Sequence, residues 1–323
     1  MPAMRYLSYL LFFFAVSVTA ATAADLRIGI IGTDTSHVIA FSKVLNDPKN
    51  PDYVPGVRIV AAFKGGSKDI ESSSKRVDEY AIALARDWKV EIVPDIATLL
   101  TKVDAVLLES VDGRTHLEQA RSVIAAGKPL FIDKPLSSTL EDAVEIAKLA
   151  KARGVSWFSS SSLRWAKSLA PLQQPNLKGA IVWGPGPLEE HHYLELGWYG
   201  IHAAEMLFTL MGKGCETVTR TYTTDQDEVT CVWADGRLGT MRVLRPYSQF
   251  GAVAILKDNK IIQTPTKFEY SYVGLVKEFV KFFQTGKTPV DPAETLEIFA
   301  FLDAAQKSRE QGGKPVKLRK LAW

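Results

Sequence analysis

The first half of the chain predicts an α/β fold built on a Rossmann-like, doubly wound parallel sheet. Short apolar runs alternate with helix-length amphipathic stretches from Leu26 to Phe158. Repeated βα units of this length pack as parallel strands covered by helices on both faces. A second observation is the run Pro129-Leu130-Phe131-Ile132, a buried strand by its composition, which ends abruptly in Asp133, Lys134 and Pro135. Ligands of open α/β sheets bind beyond the carboxyl ends of the strands, where Lys134 would stand. A solvent-facing lysine in an ordinary βα turn is the alternative. Pro135 restricts Lys134 to extended geometry, and an X-Pro bond can also be cis.

The elements follow in order. Met1 to Ala24 carries Arg5, an apolar run from Leu7 to Ala20 and the small-residue end Ala21-Thr22-Ala23-Ala24, which predicts a cleaved secretory signal peptide and a periplasmic or secreted protein. Leu26–Ile31 is a strand and residues 36–45 a helix, with Val38, Ile39, Phe41, Val44 and Leu45 on its apolar side. Val57 to Phe63 is the second strand, and a Gly/Ser-rich loop leads to a helix over 71–86. Residues 90–93 and 103–109 are further strands. Thr115-x-x-Glu118 and Ser138-x-x-Glu141 have the form of capping boxes, and the helices they open end at Gly127 and Gly154. Residues 155–158 close the series, so the first domain spans 25–160 and the second 161–323.

A mature chain of roughly 300 residues is long enough for two cores. Its formal net charge of +3 and the absence of a Lys/Arg cluster argue against nucleic acid. No segment beyond the leader is apolar enough to span a bilayer. The two cysteines, Cys215 and Cys231, form no disulfide scaffold. Cys231 sits inside the strand-like run 229–233, so two buried free thiols are expected, although an oxidising compartment permits one bridge.

A dinucleotide-binding turn needs Gly-x-Gly-x-x-Gly: one glycine for the turn, one for approach of the pyrophosphate and one for helix packing. Here Gly32 takes the first position, Asp34 the second and His37 the third. A carboxylate facing two phosphates is electrostatically adverse. Lys64 stands at the end of the second strand, where an acidic residue would bind ribose hydroxyls; a solvated loop is its ordinary reading.

With these residues the chain resembles the Gfo/Idh/MocA family (glucose–fructose oxidoreductase, inositol dehydrogenase, rhizopine catabolism). The likeness rests on Ile28-Gly29-Ile30-Ile31-Gly32, on 103–119, on 127–143 around Asp133-Lys134-Pro135, on Gly200-Ile201-His202-Ala203-Ala204-Glu205 and on the ending 289–318. It implies a second, α+β domain with an open antiparallel sheet, a homo-oligomer, and NAD(P)-dependent oxidation or reduction of a sugar or polyol. Lys134 and His202 would be catalytic. Gly32, Thr33, Asp34, His37, Lys64, Ser110 and Asp133 would face the cofactor; Glu109, His116, Arg164, Tyr193, Tyr199 and Glu205 would face the substrate. Trp198 stands where the family's helix-start Asp belongs, and two glycines are missing, so NAD(P) is weakened as a cofactor.

Several of these residues have structural alternatives. Asp34 suits an N-cap, His116 a first helical turn, His37 a surface position and His202 a satisfied core; Tyr193 and Tyr199 suit aromatic packing. Glu205 shares a helical face with His202 and could orient it. Asp34, Glu109, Asp112 and Asp133 together would raise one another's pKa unless Lys134, a histidine or a cation compensates. No residue set is assigned to a metal. A cofactor-independent lyase or hydrolase and a non-catalytic carbohydrate binder remain open beside the oxidoreductase.

Overall fold

The computed structural model describes residues 25–323; the expected signal segment lies outside the described residues. Strands β1 (Leu26–Ile31), β2 (Val57–Phe63), β3 (Glu91–Val93), β4 (Ala105–Leu108), β5 (Leu130–Asp133) and β6 (Trp157–Ser160) form one sheet in the order β3-β2-β1-β4-β5-β6. Every neighbouring pair is parallel. This is the doubly wound order, in which strand order reverses between β1 and β4 and opens a crevice at their carboxyl ends. β4 and β5 are buried at every residue, as strands covered on both faces must be.

Helices α1 (Ser36–Asn46), α2 (Glu71–Ser74), α3 (Val77–Trp88), α4 (Ile96–Lys102), α5 (His116–Ala125) and α6 (Leu140–Arg153) supply the crossovers. The single helix expected over 71–86 is broken between α2 and α3. The cause is Ser73, whose hydroxyl bonds Asp34 and the Ser67 amide instead of serving a helix surface. Both capping boxes are displaced. Asp112 caps a short 3-10 turn ahead of α5, and Thr139 rather than Ser138 caps α6 by accepting from Asp142 N. Gly154 closes α6 at φ 63°, where a side chain would be strained.

The second sheet contains β7 (Leu177–Pro185), β8 (Cys215–Tyr222), β9 (Gln226–Trp233), β10 (Leu238–Leu244), β11 (Gly251–Leu256), β12 (Ile261–Gln263) and β13 (Val316–Lys317), ordered β12-β11-β7-β10-β9-β8-β13. It is open but not wholly antiparallel, because β7 and β10 pair in parallel. Between β7 and β8 the chain forms α7 (Glu195–Trp198) and α8 (Ile201–Met211). α7 is fixed to this domain through Glu195, which pairs with Arg309 and with the buried Arg220 at 3.0 Å.

The helices α9 (Val273–Thr285) and α10 (Pro292–Glu310) lie between β12 and β13. Leu275, Val276, Phe279 and Phe282 of α9 join Ile28, Ile30, Phe131 and Phe158 in one core. Phe279 lies 5.5 Å from Phe131 and Phe282 lies 5.1 Å from Phe158, ring centre to ring centre. The spatial division therefore departs from the sequential one near 160: a C-terminal helix covers a face of the N-terminal sheet.

Cys215 and Cys231 are joined in a disulfide, correcting the expectation of free thiols. A register shift after Cys215 sets it opposite Trp233, diagonal to Cys231 on the antiparallel partner, with the two cysteine Cα atoms 5.9 Å apart. The bulge is invisible in the spacing of the two cysteines. A bridge closing a loop of this size contributes about 3 kcal/mol. The Cys215→Ala/Cys231→Ala variant should lose that amount in urea unfolding, with a steeper slope because the uncrosslinked unfolded chain exposes more surface, and unfolded wild type should show no reactive thiol. Two reactive thiols without added reductant would contradict the bridge.

Candidate active site

The carboxyl ends of β1, β4, β5 and β6 face α7 and α8 across a crevice of about 350 Å³, the lower end of the size range of small-molecule sites. Thr35, Ser36, His37, Lys134 and Tyr272 line it together with Trp198, Tyr199, His202, Phe250 and Tyr270. A roomier depression of about 620 Å³, lined by Cys215, Leu296, Ala300, Leu318 and Trp323, lies away from the strand ends.

Lys134 stands where the sequence placed it, directly after β5, on a cis bond to Pro135. It is half-buried and makes no ion pair or side-chain hydrogen bond among the described residues, so its ammonium is free for a ligand. His37 is buried in the first turn of α1 rather than on the surface, and its Nδ1 lies 2.6 Å from Asp133 Oδ2. Tyr272 packs edge-on against that imidazole with ring centres 4.8 Å apart. Burial pushes the Tyr272 phenol up to about 12, with the Asp133 charge adding to it. His202 shares a 2.7 Å hydrogen bond with Ser161 through Nδ1. Burial holds its pKa well below the ordinary imidazole value, and the charges of Lys134 and His37 act in the same direction.

Other expectations are corrected. Glu205 does not orient His202; its Oε2 accepts from Arg164 Nε at 2.8 Å, while Arg164 Nη1 reaches Glu294 at 2.6 Å. Arg164 and Glu205 thus form a buried structural network rather than substrate contacts. His116 is fully buried, with Nε2 2.7 Å from the Ser110 carbonyl and Nδ1 3.2 Å from the Leu136 carbonyl, and it ties the β4 and β5 ends together. Tyr193 is exposed and lies off the crevice, whereas Tyr199 lines it. Glu109 is fully buried behind the lining with neither oxygen hydrogen-bonded.

The dinucleotide turn differs most. Asp34 is not the N-cap of α1; Thr35 is. Asp34 Oδ2 accepts from Ser73 Oγ at 2.6 Å, and its Oδ1 accepts from Val111 N at 3.1 Å. Burial raises the Asp34 pKa. Ser67 donates to Asp112, carrying the β2–α2 loop across to the end of β4. Gly65 packs so close that a methyl on it would sit 3.3 Å from Gly32 Cα. Thr33 donates to the Val77 carbonyl at 2.8 Å, Ser110 donates to Gln119 at 2.9 Å, and Lys64 pairs with Asp78. Each of these side chains thus has a partner within the protein around the turn. The turn as arranged does not fit a dinucleotide, although the strand order around it does.

Phe250, Tyr270 and Tyr272 were missed, and no motif marks them. Ser161 was missed too, although the run Ser159-Ser160-Ser161-Ser162 across the end of β6 signals it.

Residues 26–160 match the model of an oxidoreductase family, GFO_IDH_MocA, described as an NAD-binding Rossmann fold. The inositol 2-dehydrogenase of Agrobacterium fabrum is 32% identical over 131 residues, 40% of this chain and 34% of that protein. The matched part is thus about a third of the length of the curated relative. Solved structures share the whole fold. The myo-inositol dehydrogenase of Lactobacillus casei, in complex with NAD(H) and myo-inositol, superposes with a TM-score of 0.72 at 16% identity, covering 93% of this chain and 98% of that one. An Agrobacterium radiobacter oxidoreductase, in complex with NAD+, L-tartaric acid and magnesium, gives 0.69 at 14% identity over 91% and 99%. Residues 26–160 are thus similar to the NAD-binding Rossmann fold of the GFO_IDH_MocA oxidoreductase family, and the whole chain shares the fold of the solved structures.

Proposed function

We propose that the protein is an exported enzyme of the Gfo/Idh/MocA oxidoreductase type that acts on a hydroxyl or keto group of a sugar or polyol. Lys134 is its acid/base, and His202 is the second proton-handling group. The observation that carries this is the convergence of an unpaired Lys134 with His37, His202 and Tyr272 in one crevice at the strand ends. Curated relatives of the first domain act on inositol by name. Sugar hydroxyls suit imidazole and phenol partners, and the flat faces of Trp198, Tyr199 and Phe250 suit a sugar ring.

A second reading has its own observation. The dinucleotide turn is crossed by the bonds of Asp34, Ser67 and Ser73, so a reaction that needs only proton transfer, such as elimination from a keto-sugar, fits the same residues. Under this second reading NADH and NADPH bind weakly while the loop over residues 64–74 is in place. Turnover of sugars and keto-sugars, measured with and without added NAD(P), separates the two: strict dependence on micromolar cofactor would establish the dehydrogenase.

Among the described residues no helix is long and apolar enough to cross a membrane. The disulfide is in keeping with an oxidising compartment. N-terminal sequencing of exported protein should begin at Ala24 or Asp25; retained Met1 would count against export.

Lys134→Met keeps the apolar stem and removes the charge. It should fold as wild type and lose about 10²- to 10⁴-fold in kcat, the usual contribution of a general acid or base. Full activity in the folded variant would refute the assignment. His202, held neutral by burial, should stay uncharged as pH falls through about 6.5, where a free imidazole gains its proton. The acid limb of kcat/KM should therefore lie below that value. A limb centred there and absent from His202→Gln would show that the imidazole titrates normally.

A further inference from the structure

Behind the crevice lining, at the carboxyl ends of β4 and β5 and the start of α1, three buried side chains face one another. His37, Glu109 and Asp133 each offer one ligating atom, and these atoms lie within 4.8 Å of one another. Their residues are 8%, 0% and 2% exposed, respectively. Glu109 Oε1, Glu109 Oε2 and Asp133 Oδ1 have no hydrogen-bond donor and no contact with solvent. Buried carboxylates are normally paired or metal-bound, because removing their hydration without replacing it is costly. Asp34 close by is satisfied by Ser73 and Val111 and cannot donate to them while ionised. His37 and Lys134 both act on Asp133, whereas at Glu109 Lys134 alone offsets Asp133 and Asp34, in a dry site.

We propose that His37, Glu109 and Asp133 form a binding site for a divalent cation of the manganese–zinc class. One imidazole nitrogen with two carboxylates is a donor set for such ions, and it lacks the all-oxygen character preferred by magnesium and calcium. Tetrahedral bonds of about 2.0–2.2 Å hold ligand atoms roughly 3.3–3.6 Å apart, so the three side chains close in around the ion as it binds. The ion supplies the positive charge that the three orphaned oxygens lack. His37 Nδ1 and Asp133 Oδ2, at 2.6 Å, share a proton that leaves as the ion enters, so loading releases a proton to solvent. His37 is common to this site and to the crevice wall, which places the ion at the inner end of the crevice. The proposal rests on these three residues and not on the identity of the sugar.

The test uses the whole mature protein, stripped of metal with a chelator and titrated with Mn²⁺ by loss of the free-ion spin-resonance signal and with Zn²⁺ by calorimetry. No sugar or dinucleotide is present, so the outcome does not depend on the catalytic reading. One equivalent per chain should bind saturably, with proton release seen as a buffer-dependent heat. Glu109→Gln keeps the shape and removes a buried charge. In chelator it should melt no lower than wild type, and it should bind at least 10-fold more weakly and lose the metal-induced rise in Tm. Asp133→Asn serves in its place should Glu109→Gln not fold. Wild-type binding equal to that of the folded variant would overturn the proposal. So would a wild type that takes up no ion and shows a carboxylic-acid infrared band absent from Glu109→Gln, because the occupant of the site is then a proton.

Discussion

Removal of carboxylates from water at one end of a parallel sheet sets the terms for the rest of the molecule. Asp34, Glu109 and Asp133 are each buried at or just beyond the ends of β1, β4 and β5. Each must be neutralised by what surrounds it. Asp34 is answered by a hydroxyl and an amide from neighbouring loops, Asp133 by an imidazole, and Glu109 by no hydrogen-bond donor. Meeting the needs of Asp34 draws Ser73 and the end of β4 across the turn, breaks one helix into α2 and α3, and fills the groove that the fold ordinarily leaves for a diphosphate. Electrostatic demand thus reshapes local structure, and local structure narrows the chemistry.

The second domain shapes the other wall. The ion pairs of Glu195 with Arg220 and Arg309 hold α7 to the mixed sheet, which in turn fixes Trp198 and Tyr199 over the crevice. Arg164, clamped between Glu205 and Glu294, joins the end of the first domain to α8 and α10. Arg164, Glu205 and Arg220 are desolvated, so loss of a partner there strands a buried charge, a much larger penalty than loss of an exposed pair. Their role is to position the lining without touching a ligand.

Much of this was legible in the amino-acid sequence. β1 and β2 fall on the expected residues, and Lys134 stands at the expected strand end, because apolar runs bounded by charge and proline carry strong local information. The loss of the glycine fingerprint was also plain. Which side chains satisfy one another was not. Nothing in the spacing of Asp34 and Ser73, or of Arg164 and Glu205, shows that they meet, since each pair is joined only by the packing of distant elements. The disulfide escaped for the same reason, a one-residue bulge in a strand pair. The aromatic side of the crevice, Phe250, Tyr270 and Tyr272, comes from connecting segments with no periodic signature.

The return of α9 to the first sheet makes the two halves of the chain interdependent. Phe131, Phe158, Ile28 and Ile30 find their cover more than a hundred residues downstream, on Phe279, Phe282 and Val276. A fragment cut at Ser160 would carry the whole parallel sheet yet leave a greasy flank facing water, a recipe for self-association. During synthesis from the N-terminus the sheet cannot finish assembling until the penultimate helix emerges.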